Sequence, residues 1–371
     1  MNSLNLDDFK DIELEEQAED VVEDNNEVGV KMAFVGGGQC GCRIADTFYD
    51  KFGYRRVLLF NTTKKDMEGL KTPEANQVLS EKTDGAGKDY SKGRKAIEQS
   101  KNEVLKVMKN RFKEGIDKIM VCIGAGGGTG SGTAKILADI SEDYLYKQGM
   151  DNAKNNIGFI VTLPDRSEGS IVFNNAYKVL KDIIGKGYSP IMILDNAKVT
   201  KMLSGQNLTE ANRWFMINNV ACKLFDIFNT ISAQQSKYTN FDPTDLKDVY
   251  NSGIITVGLT KLEKVSKDTD IADALYKNLK NNLLVEGLSI NSATHGAVII
   301  ATEEETIKNI PASSTDNAFN TLISMMNGGD TSKKVALHRG VYEASGSGIT
   351  VFSMIGGFEF PQDRLDSYKR G

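Results

Sequence analysis

Five short apolar runs punctuate the first half of the chain: Val30–Val35, Val57–Phe60, Ile119–Ile123, Ile157–Leu163 and Pro190–Leu194. They are nearly uninterrupted rather than alternating, the pattern of strands buried on both faces of a parallel sheet. Each ends in a glycine-rich or polar turn, and segments such as Arg43–Lys51 and Thr133–Ile140 follow with helical spacing. Strand–helix alternation over residues 30–195 predicts an α/β fold with a doubly wound parallel sheet. In such a sheet a ligand belongs at the carboxyl ends of the strands. A long helix is predicted over 208–231. Beyond it the pattern gives a second α+β unit: strand Gly253–Leu259, helix Ile271–Leu284, strand Ala297–Ala301, helix Asn317–Met326, and strands Val335–Tyr342 and Gly348–Ile355.

The turn after the third run is the most informative. Residues 124–132 read Gly-Ala-Gly-Gly-Gly-Thr-Gly-Ser-Gly between an apolar run and a helical segment. Glycine lets a backbone take positive φ and approach a ligand closely. Successive N–H groups ahead of a helix N-terminus then suit an anion. The alternative is a glycine-rich surface turn, which needs one or two glycines rather than six. A Walker A loop would end in Gly-Lys-Ser or Gly-Lys-Thr, and no such ending is present.

Gly126-Gly127-Gly128-Thr129-Gly130-Ser131-Gly132 resembles the signature loop of the tubulin/FtsZ GTPases, and further segments agree in order. Gly37-Gly38-Gln39-Cys40-Gly41, followed by Arg43, is similar to the first nucleotide loop of tubulin. Asn61-Thr62 is similar to the pair after the second strand. Asp84-Gly85-Ala86-Gly87-Lys88, leading to Gly93-Arg94, looks like the γ-phosphate loop. Glu168 stands in a segment similar to the ribose loop, and Asp195-Asn196 where the family contacts base or ribose. Trp214 precedes Asn218 by one helical turn, as do the guanine-stacking aromatic and the edge-reading Asn. Asn240-Phe241-Asp242-Pro243-Thr244-Asp245 matches the Asn-x-Asp-x-x-Asp loop that completes the neighbouring subunit's site. The resemblance spans about residues 30–360. Leu194–Lys198, Phe241–Pro243 and Gly356–Pro361 look most like the plasmid- and phage-borne TubZ type. One departure is Val172, where FtsZ has an arginine, which leaves Glu168 to act alone or with Asn174 or Asn175.

This resemblance implies a GTPase that binds GTP/GDP with Mg²⁺ held on the phosphates. Asn240, Asp242 and Asp245 are the catalytic candidates, delivered by a second copy in a head-to-tail homopolymer. Read from the loop alone, Asp242 serves equally well as a helix N-cap with Pro243 in the first turn. The implied role is movement of plasmid or phage DNA, bound indirectly through an adaptor. The alternatives are a division polymer of the FtsZ kind and an NAD-dependent oxidoreductase. Gly36-x-Gly38-x-x-Gly41 fits the dinucleotide fingerprint, but Asn61 stands where that motif needs an acid, and the second glycine loop is left unexplained.

Charge and composition adjust this picture modestly. Residues 1–28 hold eleven acids and one base, against −5 for the whole chain, so the remainder carries about +5. That is too weak a basic balance for direct DNA binding. The acidic extension reads as one helix or a disordered arm, solubilising or polymer-regulating. There is no signal segment and no apolar run of about 18 residues, so no membrane partner is expected. Four cysteines suit a reducing cytoplasm, and Cys40-Gly-Cys42 has the wrong spacing for zinc. His295 and His338 lie far apart in sequence and read as structural. The expected organisation is an extension (1–28), a GTP-binding domain (29–207), a linking helix (208–235), an acid loop with a C-terminal domain (236–360) and a short tail (361–371). TubZ-type relatives carry a longer C-terminal helix and an adaptor-binding tail.

Overall fold

The computed structural model describes residues 28–80, 85–165, 167–202, 209, 213–281 and 284–370. Almost all of the acidic extension, together with Asp84, Arg166 and the start of the predicted long helix, lies outside them. The chain divides into two compact units. One comprises mainly Val30–Val199 and Phe360–Gly371, the other mainly Thr200–Glu359.

The first unit runs β1 (Met32–Gly37), α1 (Gly38–Phe52), β2 (Val57–Asn61), β3 (Gln77–Leu79), α2 (Tyr90–Arg111), β4 (Lys118–Gly124), α3 (Gly128–Lys147), β5 (Ile157–Leu163), α4 (Ser170–Ile183), β6 (Ile191–Asp195) and α5 (Asn196–Met202). Its strands pair in parallel in the order β3-β2-β1-β4-β5-β6. Every residue of β1, β2, β5 and β6 is buried, which explains their uninterrupted apolar sequence. The order reverses direction between β1 and β4, the switch point where α/β sheets open a ligand crevice. In register, Gly36 lies beside Cys122 and Gly37 beside Ile123, so the turns that leave β1 and β4 emerge side by side.

Aromatic packing fixes α1 on this sheet. Phe34 of β1 stacks on Phe48 of α1 with centroids 3.8 Å apart, and Tyr54 meets Phe34 edge-on at 5.0 Å. Gly53, at φ 70°, ends α1 in the left-handed conformation that turns the chain back to β2.

The second unit contains α6 (Arg213–Ser232), α7 (Pro243–Tyr250), β7 (Ile254–Leu262), α8 (Asp270–Asn281), β8 (His295–Thr302), α9 (Glu304–Asn309), α10 (Ala312–Asn327), β9 (Ala336–Glu343) and β10 (Ile349–Phe358). Its strands order as β7-β10-β8-β9. β10 is antiparallel to both β7 and β8, and β8 is parallel to β9.

Residues 361–371 were expected as a separate short tail, and here the structure differs. Gln362–Arg370 form a helix, α11, that belongs to the first unit and packs on α4. Arg364 Nη2 donates to Asp195 Oδ1 at 2.8 Å, with the carboxylate fully buried and the guanidinium nearly so. The guanidinium also lies 4.7 Å from the Tyr368 ring centroid. A buried charge stripped of its partner is costly. Replacing Arg364 with alanine is therefore expected to destabilise the protein by about 3–5 kcal/mol, read from the urea midpoint at constant m-value. A change below about 1 kcal/mol would mean that the pair does not anchor α11.

Candidate functional site

The turn after β1 and the turn after β4 touch backbone to backbone. A Cβ placed on Gly38, whose φ is +70°, would stand 2.7 Å from Gly130 N, and one on Gly41 would stand 2.0 Å from Cys122 O. Across the second turn, a Cβ on Gly128 would meet Asp89 N and Gly87 O at 2.7 Å, and one on Gly130 would meet Gly124 O at 2.5 Å. A Cβ on Gly132 would meet Tyr90 O at 2.4 Å, and one on Gly126 would meet Val172 Cγ1 at 2.5 Å. Five of the six glycines at 124–132 are thus taken up by the close approach of other elements. Gly127 alone among them faces open space. Interlocking of turns accounts for these five, which leaves Gly127 as the one glycine open to the ligand approach inferred from sequence.

Helices α1 and α3 both begin at this junction. Their N-caps, Gly37 and Gly127, supply no side-chain acceptor, and neither first turn holds an acid. Uncapped N–H groups and the positive helix end favour an anion by about 0.3–1 kcal/mol per helix. The contrast is α2, whose N-cap Asp89 accepts from Ser91 N and Lys92 N and closes that terminus with its own carboxylate.

The segment 85–88 is tied to the same place. Gly85 N donates to Thr62 O at 2.9 Å, Ala86 N to Thr62 Oγ1 at 3.1 Å, and Gly128 N to Gly87 O at 3.0 Å. The hydroxyls of Thr62 and Thr129 lie 2.7 Å apart. Asn175 Nδ2 bridges Lys88 O and Gly126 O at 2.9 and 3.1 Å, joining α4 to both turns. The sequence named Asn175 only as a possible helper of Glu168. Its amide is committed to the loops themselves, a non-local role with no local signal.

The other predicted residues in this unit separate by environment. Asn61 is fully buried, its Oδ1 accepting from Thr62 N, while its Nδ2 has no protein partner. A buried donor without an acceptor at a phosphate-suited junction fits a nucleotide. Gln39 is exposed and reaches Asp66 at 3.2 Å, and Arg43 and Lys88 are also exposed. Cys40 Sγ lies 3.1 Å from Thr162 Oγ1, and burial pushes its thiol pKa up, with the Thr162 bond opposing. Ser131 is buried and donates its hydroxyl to the carbonyl of Gly127, the N-cap of α3. Glu168 Oε1 accepts from Asp165 N at 3.2 Å, folding back on its own turn. Val172 fills the space over Gly126. Asp195 is spent on Arg364 and on Ala197 N, whereas Asn196 is partly exposed at the start of α5.

Comparison with known proteins places the first unit in a family. The model of the tubulin/FtsZ family's GTPase domain matches residues 31–204. Residues 31–204 are a tubulin/FtsZ-family GTPase domain. The tubulin-like protein TubZ of Bacillus cereus is 26% identical over 309 residues, covering 76% of this chain and 68% of TubZ. The tubulin-like protein CetZ3 of Haloferax volcanii is 28% identical over 253 residues, covering 63% of this chain and 61% of CetZ3. A GTPγS-form protofilament structure of TubZ from Bacillus thuringiensis serovar israelensis superposes with a TM-score of 0.77 at 17% identity, covering 93% of this chain and 92% of that one. A GTPγS-bound protofilament structure of CetZ2 from Haloferax volcanii gives 0.73 at 21%, covering 92% and 97%. At these identities the structures establish the fold. The strand order of the first unit is shared with dinucleotide-binding folds, so it is the GTPase-domain match that sets the oxidoreductase alternative aside.

The remaining predicted residues lie in the second unit. Trp214 is half-buried and Asn218 is 7% exposed, one turn apart on α6. Asn240 Oδ1 accepts from Ser236 N at 2.6 Å and so shapes its own loop. Asp242 N-caps α7, its Oδ1 accepting from Thr244 N at 2.7 Å and Asp245 N at 3.0 Å. Asp245 Oδ2 accepts from Asp242 N at 3.2 Å, completing a capping box. The N-cap reading of Asp242 is therefore realised, and it leaves the residue exposed with Oδ2 outside these bonds.

The glycine geometry separates folding from binding. Gly127→Ala, at φ −75° and with nothing within 4 Å, is expected to cost about 1 kcal/mol or less while weakening GDP affinity by about tenfold or more. Gly130→Ala is expected to cost about 1–3 kcal/mol in stability. Urea unfolding beside GDP titration checks both. An alanine at 127 that binds GDP normally would remove Gly127 from the site.

Proposed function

We propose that this chain assembles head-to-tail into a filament and hydrolyses GTP where successive copies meet. The observation that carries the proposal is the acid loop. The glycine turns Gly36–Gly41 and Gly124–Gly132 contain no carboxylate. Asp242 and Asp245, by contrast, are held in a defined capping box on the other unit, with Asp242 exposed. A site whose phosphate cradle and acids lie on different units of one chain can be completed by a second copy, and a heterologous contact of that kind propagates into an open filament. The relatives described as protofilaments support this reading.

Hydrolysis requires a water oxygen to bond to the γ-phosphorus as the bond to the β–γ bridging oxygen breaks, giving GDP and phosphate with release of a proton. The uncapped ends of α1 and α3, Gly127 and the 85–88 turn would hold the phosphates. Asn61 Nδ2 and the Thr62–Thr129 hydroxyls add polar groups there, a set suited to phosphate oxygens. Mg²⁺, carried on those oxygens, would supply charge neutralisation. Asp242, with Asp245, would accept a hydrogen bond from the attacking water and align it. Trp214 would stack on guanine, Asn218 would read its edge, and Glu168 and Asn196 would meet the ribose.

On the TubZ-type resemblance we propose low-copy plasmid or phage DNA in the cytoplasm as the cargo, with an adaptor as the grip because the chain lacks a strong basic balance. No helix among the described residues is long and apolar enough to cross a membrane.

Asp242→Ala is expected to leave GDP binding intact and cut GTP turnover at least about a hundredfold. Phosphate release per subunit in wild type should rise with protein concentration as filaments appear by light scattering. A flat specific activity without filaments would overturn the shared site. Trp214 is the sole tryptophan. Its fluorescence should change when GDP saturates unassembled protein, and an unresponsive signal would remove it from the base pocket.

A further inference from the structure

The chain has two histidines. Read from sequence as unrelated, they meet at one cluster in the second unit. His338 of β9 places Nδ1 2.8 Å from Asp245 Oδ1 and Nε2 2.9 Å from Asp248 Oδ2. His295, at the start of β8, stands behind, its Nε2 3.9 Å from the same Asp248 oxygen and its Nδ1 2.8 Å from Thr294 Oγ1. Asp242, Asp245 and Asp248 are spaced by three along one face of α7, so their charges repel one another. His338 Nε2 is hydrogen-bonded to Asp248, and Nδ1 lies in close contact with Asp245.

The neighbours of His338 on β9 serve the same loop. Side chains two apart share a face of a strand, which groups His338, Gly340 and Tyr342. The Tyr342 hydroxyl accepts from Phe241 N at 2.8 Å and donates to Phe241 O at 3.1 Å, gripping the residue immediately before Asp242. A Cβ on Gly340 would stand 2.6 Å from the Tyr342 ring and 3.1 Å from Phe241 Cβ, so only glycine leaves room for that grip. Val341 N donates to Thr239 O at 2.9 Å, and Ser236 Oγ donates to Val341 O. His338-x-Gly340-x-Tyr342 is thus a rail on which the whole acid loop is seated.

We propose that His338 is a positioning residue for GTP hydrolysis. It fixes the Asp245 carboxylate, and through the capping box it sets Asp242. The proposal rests on the reading of Asp242 and Asp245 as the water-aligning acids. Without the ring, Asp245 is freed from its contact across to β9 and repelled by Asp248, while the helix and the Tyr342 grip persist. The defect should therefore fall on turnover rather than on folding or assembly.

The test uses the full chain with saturating GTP, at protein concentrations where filaments are complete. His338→Ala is expected to lower kcat by about ten- to a hundredfold, the scale of a small misplacement of a reacting group. GDP affinity and the filament onset with a slowly hydrolysed GTP analogue should be unchanged. The isosteres then locate the contact that matters. The Asn amide nitrogen occupies the place of Nδ1 and that of Gln the place of Nε2. His338→Asn should therefore recover most of the turnover, while His338→Gln should not. Wild-type turnover in His338→Ala, equal recovery by Asn and Gln, or a loss explained entirely by later filament onset would each overturn the proposal. Asp245→Ala in the same assay keeps the two readings apart. If it hydrolyses GTP normally, the acid assignment falls. If it is inactive while His338→Ala is normal, only the role of His338 falls.

Discussion

Two peptide turns meet in the first unit with no side chain between them, and the neighbouring elements are arranged around that contact. The parallel register of β1 and β4 delivers the turns side by side, and Gly38 and Gly130 let them touch. Everything nearby repeats the device. α2 enters close enough that Gly93, Gly128 and Gly132 have no room for a Cβ. Val172 covers Gly126, and Asn175 ties the 85–88 turn to the glycine loop from α4. Backbone is thereby held by backbone, with few flexible side chains in the framework. A junction built this way is stiff by itself, which is what preorganised electrostatic binding requires.

The second unit solves a different problem, that of holding carboxylates in a fixed place without neutralising them. A capping box spends one oxygen of Asp242 and one of Asp245 on backbone N–H groups. The helix dipole then favours the negative charge at that end. Burial of Phe241 against Phe228, with centroids 6.1 Å apart, and the Tyr342 grip anchor the loop from behind. The desolvated Tyr342 hydroxyl has its pKa pushed up by burial, opposed by its bond to Phe241 and reinforced by the nearby Asp245 and Asp242. It stays protonated and able to donate.

What the sequence made legible was local. Ile157–Leu163 appears as a strand with the bounds its apolar run suggests, because a strand buried on both faces has no polar position to blur it. α1 begins at Gly38 rather than Arg43. Glycine reads as a breaker, yet here glycines form the first turn, since the approach to Cys122 O admits nothing larger at 41. α10 starts at Ala312 rather than Asn317, because Pro311 serves as its N-cap and the polar first turn carried no apolar period. The glycine loops were legible because each is a contiguous motif. Asn175, His338 and Arg364 were not, since each acts on partners far away in sequence. His338 lies 90 residues from Asp248, and Arg364 lies 169 from Asp195.

The pairing of Arg364 with Asp195 also sets an order of events. The first unit is discontinuous, its sheet drawn from residues 32–195 and its last helix from 362–370. As the chain is synthesised, all six strands of that unit and the whole second unit emerge before the cation that Asp195 needs. Until then the ion pair between Asp195 and Arg364, which contributes to holding the end of β6 in its buried form, cannot form. The domain that the family comparison finds in the first half of the sequence thus shares its unit with a helix that follows the whole second unit in sequence.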